Sequence, residues 1–123
     1  MLIKDFYFIK NLNSTENTVV ATIKLNTEHE VYKGHFPGQP VIPGVIQLQI
    51  AREILEESLG KSLFLKHISH AKYLQPIDPL FFPELEIQVE FNEIEENTFK
   101  INALILVKEN TFTKIRALAE VKE

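Results

Sequence analysis

Residues 34–51 read Gly-His-Phe-Pro-Gly-Gln-Pro-Val-Ile-Pro-Gly-Val-Ile-Gln-Leu-Gln-Ile-Ala, and two kinds of chain meet inside them. The first twelve residues hold three prolines and three glycines. That composition fixes a stiff, non-repetitive backbone path, since proline locks φ and glycine opens conformations closed to other residues. At Pro43 the pattern turns helical, because the N–H that proline lacks has no use in a first turn. Leu48, Ala51, Leu55 and Ser58 or Leu59 share one face, and Ile46, Ile50 and Ile54 flank it. So wide an apolar arc predicts a largely buried helix, with Gly60 as its stop. The loop sets His35 at one end of a rigid path and a helix N-terminus at the other. Gly44 has no side chain to obstruct the free N–H groups of that first turn. With the helix dipole, those groups suit a carbonyl oxygen that gains negative charge.

On either side of this segment the period shortens to two. Val19, Ala21, Ile23 and Leu25 alternate with polar residues in 18–26, and Leu85, Ile87, Val89 and Phe91 do so in 84–92. Such alternation predicts strands with one wet face. The acidic strand over 84–96 reads as a solvated edge or outer face. Residues 99–108 are apolar on both sides at their middle, which predicts a central strand. Residues 111–121 alternate through Ile115, Ala117, Ala119 and Val121, and 63–75 is strand-like but mixed. The apolar start, MLIKDFYFIK, carries Lys4, Asp5 and Lys10 and reads as a first strand rather than a signal peptide. Asn97 and Asn110 fall where turns are expected. One buried helix on a mostly antiparallel sheet of five or six strands is an α+β layer architecture.

Composition narrows the function classes. The 123 residues are 45% hydrophobic and 24% charged, an ordinary globular mixture and one domain by size. With no cysteine, disulfides and thiolate metal sites are excluded. A net charge of −4 does not suit general nucleic-acid binding. No apolar run approaches the ~20 residues of a membrane span. The expectation is a cytoplasmic domain spanning 1–123. His67 and His70 fall on opposite faces of a strand and do not form a metal pair, and His29 reads as solvent-facing.

The segment from His35 to Val45 resembles the signature of the 3-hydroxyacyl-[acyl-carrier-protein] dehydratases, which have the hotdog fold. That signature runs His-Phe-Pro-x-x-Pro-x-Met-Pro-Gly-Val, here with Ile42 for the methionine, and leads into a helix bearing an acid. Ala71-Lys72-Tyr73 ahead of Pro76 is similar to the family's basic–aromatic pair before a proline. Elsewhere the likeness is one of element order. The resemblance implies one long buried helix wrapped by a curved sheet. It also implies an enzyme that removes water from a 3-hydroxyacyl thioester on acyl carrier protein or CoA, with no metal or organic cofactor. His35 would be the base. Phe36, Pro43, Gly44 and Val45 would bind substrate, with the first turn holding the thioester carbonyl. The site would lie at a dimer interface, in a homodimer or higher homo-oligomer, with a heterodimer possible.

One position departs from the signature. The family's acid stands fourteen residues after the histidine, which here is Gln49; Gln47 precedes it by two. An amide can hydrogen-bond a hydroxyl or carbonyl but cannot act as a general acid. That assistance is typically worth about 10²–10⁴-fold. The nearest acids are Glu28, Glu30 and Glu53, the last one turn beyond Gln49 on the same face. Gln49, Glu53 and Glu56 also fit a plain solvated stripe. Lys33, Arg52, Lys61, Lys66 and Lys72 could rim the site for an acidic carrier protein. The readings that follow are a dehydratase with His35 and Gln49 in its site, a degenerate hotdog subunit that binds acyl thioesters or completes a heterodimer, and an acyl thioesterase.

Overall fold

Alternation along every strand produces one antiparallel sheet with a dry face, and the helix lies against that face. The computed structural model describes residues 5–32 and 41–122. Lys33, His35 and Phe36 lie outside the described residues. In chain order come β1 (Tyr7–Ser14), β2 (Thr18–Leu25), a 3-10 turn (Glu30–Tyr32), α1 (Gly44–Leu59), β3 (Leu63–Tyr73), β4 (Glu84–Glu95), β5 (Thr98–Val107) and β6 (Asn110–Val121). The six strands run β1-β2-β4-β5-β6-β3, each antiparallel to its neighbours, and the sheet is open. The acidic strand β4 is therefore an inner strand rather than an edge, and Glu84 and Glu90 stand on its wet face. β1 and β3 are the edges.

The core forms where the dry face meets the helix. Ala21, Ile23, Ile87, Val89, Ile101 and Ile105 from the sheet are sealed with Ile50, Ile54 and Leu55 from α1. The most buried stripe of the helix is thus Ile46, Ile50 and Ile54 with Ala51 and Leu55, while Leu48 is only partly covered. Pro43 stays outside the helix as its N-cap, with ψ of 144°, and the first helical residue is Gly44. Gly60 ends the helix at φ 67°, and its N–H donates to the Glu56 carbonyl, as a left-handed cap requires. Asn97 (φ 64°) turns β4 into β5. The β5–β6 turn is made by Lys108 and Glu109 at φ 48° and 71°, and Asn110 opens the strand instead. A two-residue hairpin needs both central residues left-handed, and here two exposed side chains carry that strain.

Candidate functional site at the helix mouth

Among the described residues, the first turn of α1 presents donors without a partner. The Pro43 carbonyl accepts from Ile46 (3.1 Å) and Gln47 (3.2 Å), and no side chain caps the start. The N–H groups of Gly44 and Val45 come before any intrahelical acceptor. Just upstream, Ile42 donates its N–H to the Ile77 carbonyl at 3.0 Å, which ties the incoming chain to the segment after β3. The Val45 side chain is 61% exposed beside the mouth.

Tyr73, at the end of β3, closes one wall. Its hydroxyl donates to the Gly44 carbonyl at 3.0 Å. A Cβ built on Gly44 would lie 2.6 Å from Tyr73 Cζ and 2.8 Å from its hydroxyl. The glycine therefore makes room for an aromatic ring, a contact that the sequence does not show. Burial raises the Tyr73 phenol above its ordinary range, so it remains a neutral donor. This tyrosine is visible in the sequence only as the aromatic member of the Lys72-Tyr73 pair.

The two glutamines divide between structure and vacancy. Gln47 is 3% exposed and both ends of its amide are used. Nε2 donates to the Ile42 carbonyl at 3.1 Å, and Oε1 accepts from the sealed Thr113 hydroxyl at 2.5 Å. That pair clamps the helix start to β6. Gln49 Oε1, in contrast, is shut off from solvent and has no hydrogen-bond partner.

Glu53 does not continue a solvated stripe. It is 9% exposed, and its Oε1 accepts from the Tyr7 hydroxyl at 2.7 Å. Arg52 Nη2 stands 3.6 Å from its other oxygen. Burial first, and the Glu53 hydrogen bond and charge next, push the Tyr7 phenol far above its usual range. Arg52 is equally buried and donates to the Leu63 carbonyl at 3.3 Å, while Glu56 accepts from the Leu63 N–H at 2.7 Å. The network fastens the lower half of the helix to β1 and β3, which removes Arg52 from a surface rim and commits Glu53 to Tyr7.

The remaining candidates sort by register. His29 is half-buried, not solvent-facing: its Nδ1 accepts from the Val31 N–H at 3.1 Å and its ring meets Phe6 edge-on at 5.3 Å. His67 and His70 are exposed on β3, and no group of three metal-ligating side chains occurs among the described residues. Lys66 pairs with Glu120 at 3.2 Å. Lys72 stands directly opposite Lys114, and His70 opposite Arg116, all exposed.

The sequence profile of the ApeI-like family, described as ApeI dehydratase, matches residues 11–114. The chain belongs to the ApeI-like dehydratase family. Its likeness extends to the 3-hydroxyacyl-[acyl-carrier-protein] dehydratase FabZ of Lactococcus lactis subsp. lactis (strain IL1403), at 38% identity over 82 residues, 61% of this chain and 54% of the relative. The chain thus spans about half the length of that protein. FabZ of Novosphingobium aromaticivorans is 26% identical over 119 residues, 89% of this chain and 74% of the relative. Among solved structures, the dehydratase heterocomplex ApeI:P from Xenorhabdus doucetiae superposes with a TM-score of 0.72 at 16% identity, covering 92% of this chain and 96% of that one. The open six-stranded antiparallel sheet with one packed helix is the hotdog fold of this ApeI-like chain. No described helix is long and apolar enough to cross a membrane.

Proposed function

We propose that this chain is a cytoplasmic dehydratase subunit that converts 3-hydroxyacyl thioesters to trans-2-enoyl thioesters. The observation that carries the reading is the buried, partnerless Gln49 Oε1, fourteen residues after His35, where the related dehydratase signature places its acid. The thioester carbonyl accepts from the N–H groups of Gly44 and Val45, which stabilise enolate character as the α-proton leaves. His35 takes that proton. Gln49 holds the 3-hydroxyl without protonating it, so the departing hydroxide needs another donor. The imidazolium formed on His35 can return its proton there, and the products are water and the enoyl thioester.

The acid can also come from another chain. β3 is an edge strand with Phe64 and Ile68 exposed along it, and pairing with a second subunit would cover it. In a homodimer the second subunit brings another Gln49. In a heterodimer it can bring a carboxylate, and the heterocomplex description of the Xenorhabdus structure supports this second arrangement.

An acidic carrier protein is the favoured thioester donor. Like charges directly opposite one another in a sheet are destabilising, yet Lys72 faces Lys114 on a wet surface that also carries Arg116. An acidic partner relieves that repulsion.

The test compares wild type with Gln49→Glu on carrier-bound and CoA-bound 3-hydroxyacyl substrates, following the conjugated product. Gln49→Glu should raise turnover by about 10²-fold or more. An unchanged rate would remove Gln49 from the reaction centre.

A further inference from the structure

One rung of the sheet grips the start of α1 by two routes. Tyr73, the last residue of β3, stands directly opposite Thr113 of β6. Opposite residues of an antiparallel pair project from the same face. Thr113 is sealed, and its hydroxyl donates to Gln47 Oε1 at 2.5 Å. Gln47 Nε2 passes the connection on to the Ile42 carbonyl at 3.1 Å. The Tyr73 hydroxyl donates to the Gly44 carbonyl at 3.0 Å. The rung thus holds the carbonyls on both sides of Pro43. Its Thr113 end is locked to the helix, and the bare Cα of Gly44 lets the Tyr73 ring close in, since a Cβ there would lie 2.6 Å from Cζ. A ring that is 44% exposed is in this way held to one place.

The Tyr73 bond is additional to those of the helix. A first-turn carbonyl faces the N–H four residues on, which occupies one of its two lone pairs. The phenol takes the other. Helix geometry does not require it, and a phenylalanine ring would pack in the same space.

What the bond does follows from the peptide unit it touches. The Gly44 carbonyl and the Val45 N–H belong to one planar unit and point in opposite directions. A donor on the carbonyl draws electron density toward oxygen and leaves the N–H more positive. Linked hydrogen bonds strengthen one another in this way by about 10–30% each. The Val45 N–H has no intrahelical acceptor, and it is one of the two donors assigned above to the thioester carbonyl.

Resting on the dehydratase reading, we infer that Tyr73 is a positioning residue of the reaction, whose hydroxyl acts through the Gly44–Val45 peptide to strengthen the N–H that holds the thioester carbonyl as enolate charge develops. Removing such a donor outright costs about 10²–10³-fold in kcat. Weakening it by about 10–30% should cost about 2–8-fold.

The test grades the donor at position 73 and keeps the ring. Tyr73→Phe, wild type and a protein with 3-fluorotyrosine at position 73, whose phenol is the better donor, are compared as full chains at neutral pH. The first readout is the carbonyl stretch of bound saturated acyl-pantetheine, labelled with carbon-13 at the thioester carbonyl and followed by difference infrared spectroscopy. The stretch should fall in the order Tyr73→Phe, wild type, 3-fluorotyrosine. A merely structural tyrosine would not carry the fluorinated protein beyond wild type. The second readout is turnover of 3-hydroxyacyl-pantetheine, where Tyr73→Phe should lower kcat by about 2–8-fold and leave KM unchanged. Equal carbonyl frequencies in the three proteins, all displaced from that of the free ligand, would overturn the inference and leave the dehydratase reading standing. So would a kcat that Tyr73→Phe leaves intact. No displacement in wild type would remove the thioester from the helix mouth, and the inference with it.

Discussion

Replacing Gly44 by alanine isolates the contact that shapes the helix mouth. Gly44 is a first-turn helical residue without positive φ, so alanine suits its backbone and should gain about 0.5–1 kcal/mol over glycine. Opposing this, the new Cβ would lie 2.6 Å from Tyr73 Cζ, well inside contact distance. The atoms in the way are the far end of a ring that is 44% exposed, so the tyrosine can swing outward without the core being forced apart. That movement breaks its 3.0 Å hydrogen bond to the Gly44 carbonyl and uncovers part of the ring. A lost hydrogen bond costs about 0.5–1.5 kcal/mol and local overpacking about 1–3 kcal/mol. Gly44→Ala should therefore destabilise by about 1–2 kcal/mol net. In a Tyr73→Ala background the obstruction is gone, and the same change should stabilise by about 0.5–1 kcal/mol. Urea denaturation of the four proteins of the double-mutant cycle measures the coupling, expected at about 1.5–3 kcal/mol. Additivity within about 0.5 kcal/mol would refute the claim that this glycine exists for the ring.

Alkaline stability provides a second check. The folded Tyr7 and Tyr32 phenols both lie above their ordinary value, so the unfolded chain ionises first as pH rises. Their contribution is complete below about pH 10 and should fall above it by up to about 1.4 kcal/mol per pH unit for each tyrosine, with Tyr7→Phe removing about half of that slope in urea titrations. Changing the strained Lys108-Glu109 turn to Asn-Gly should stabilise the protein by about 1 kcal/mol, read from the denaturation midpoint, whereas no gain would contradict the left-handed assignment. Lys114→Glu combined with Arg116→Glu should raise KM for a carrier-bound substrate about 3–10-fold, with no change for the pantetheine thioester and a smaller effect at high salt.

Much of the fold is legible in the sequence because burial and period coincide. Leu85, Ile87 and Val89 alternate and are sealed, and Pro43 and Gly60 bracket the helix as their chemistry demands. What could not be read depends on contacts between distant residues. No local pattern shows that Tyr7 holds Glu53 or that Thr113 holds Gln47, 46 and 66 residues apart. The polar spacing of Gln49, Glu53 and Glu56 therefore looked equally compatible with solvent. The acidic composition of β4 indicated a wet face but not the strand's place between β2 and β5, since strand order is not written in alternation. Gly44 is legible as a glycine at the helix entry, but the ring it accommodates is not, because only the folded chain brings Tyr73 over it. The same holds for Tyr32, whose missing partner becomes visible only when its surroundings are known to be dry.

The proposed chemistry turns on His35 acting upon a substrate held at the start of α1. The most direct measurement is the interconversion of 3-hydroxyacyl and 2-enoyl thioesters by wild type and His35→Ala, each alone and with a carboxylate-bearing partner subunit. The account predicts interconversion by wild type, strongest with the partner, and its loss by about 10²-fold or more in His35→Ala. Equal rates for the two proteins, or release of free thiol in place of the enoyl product, would contradict it.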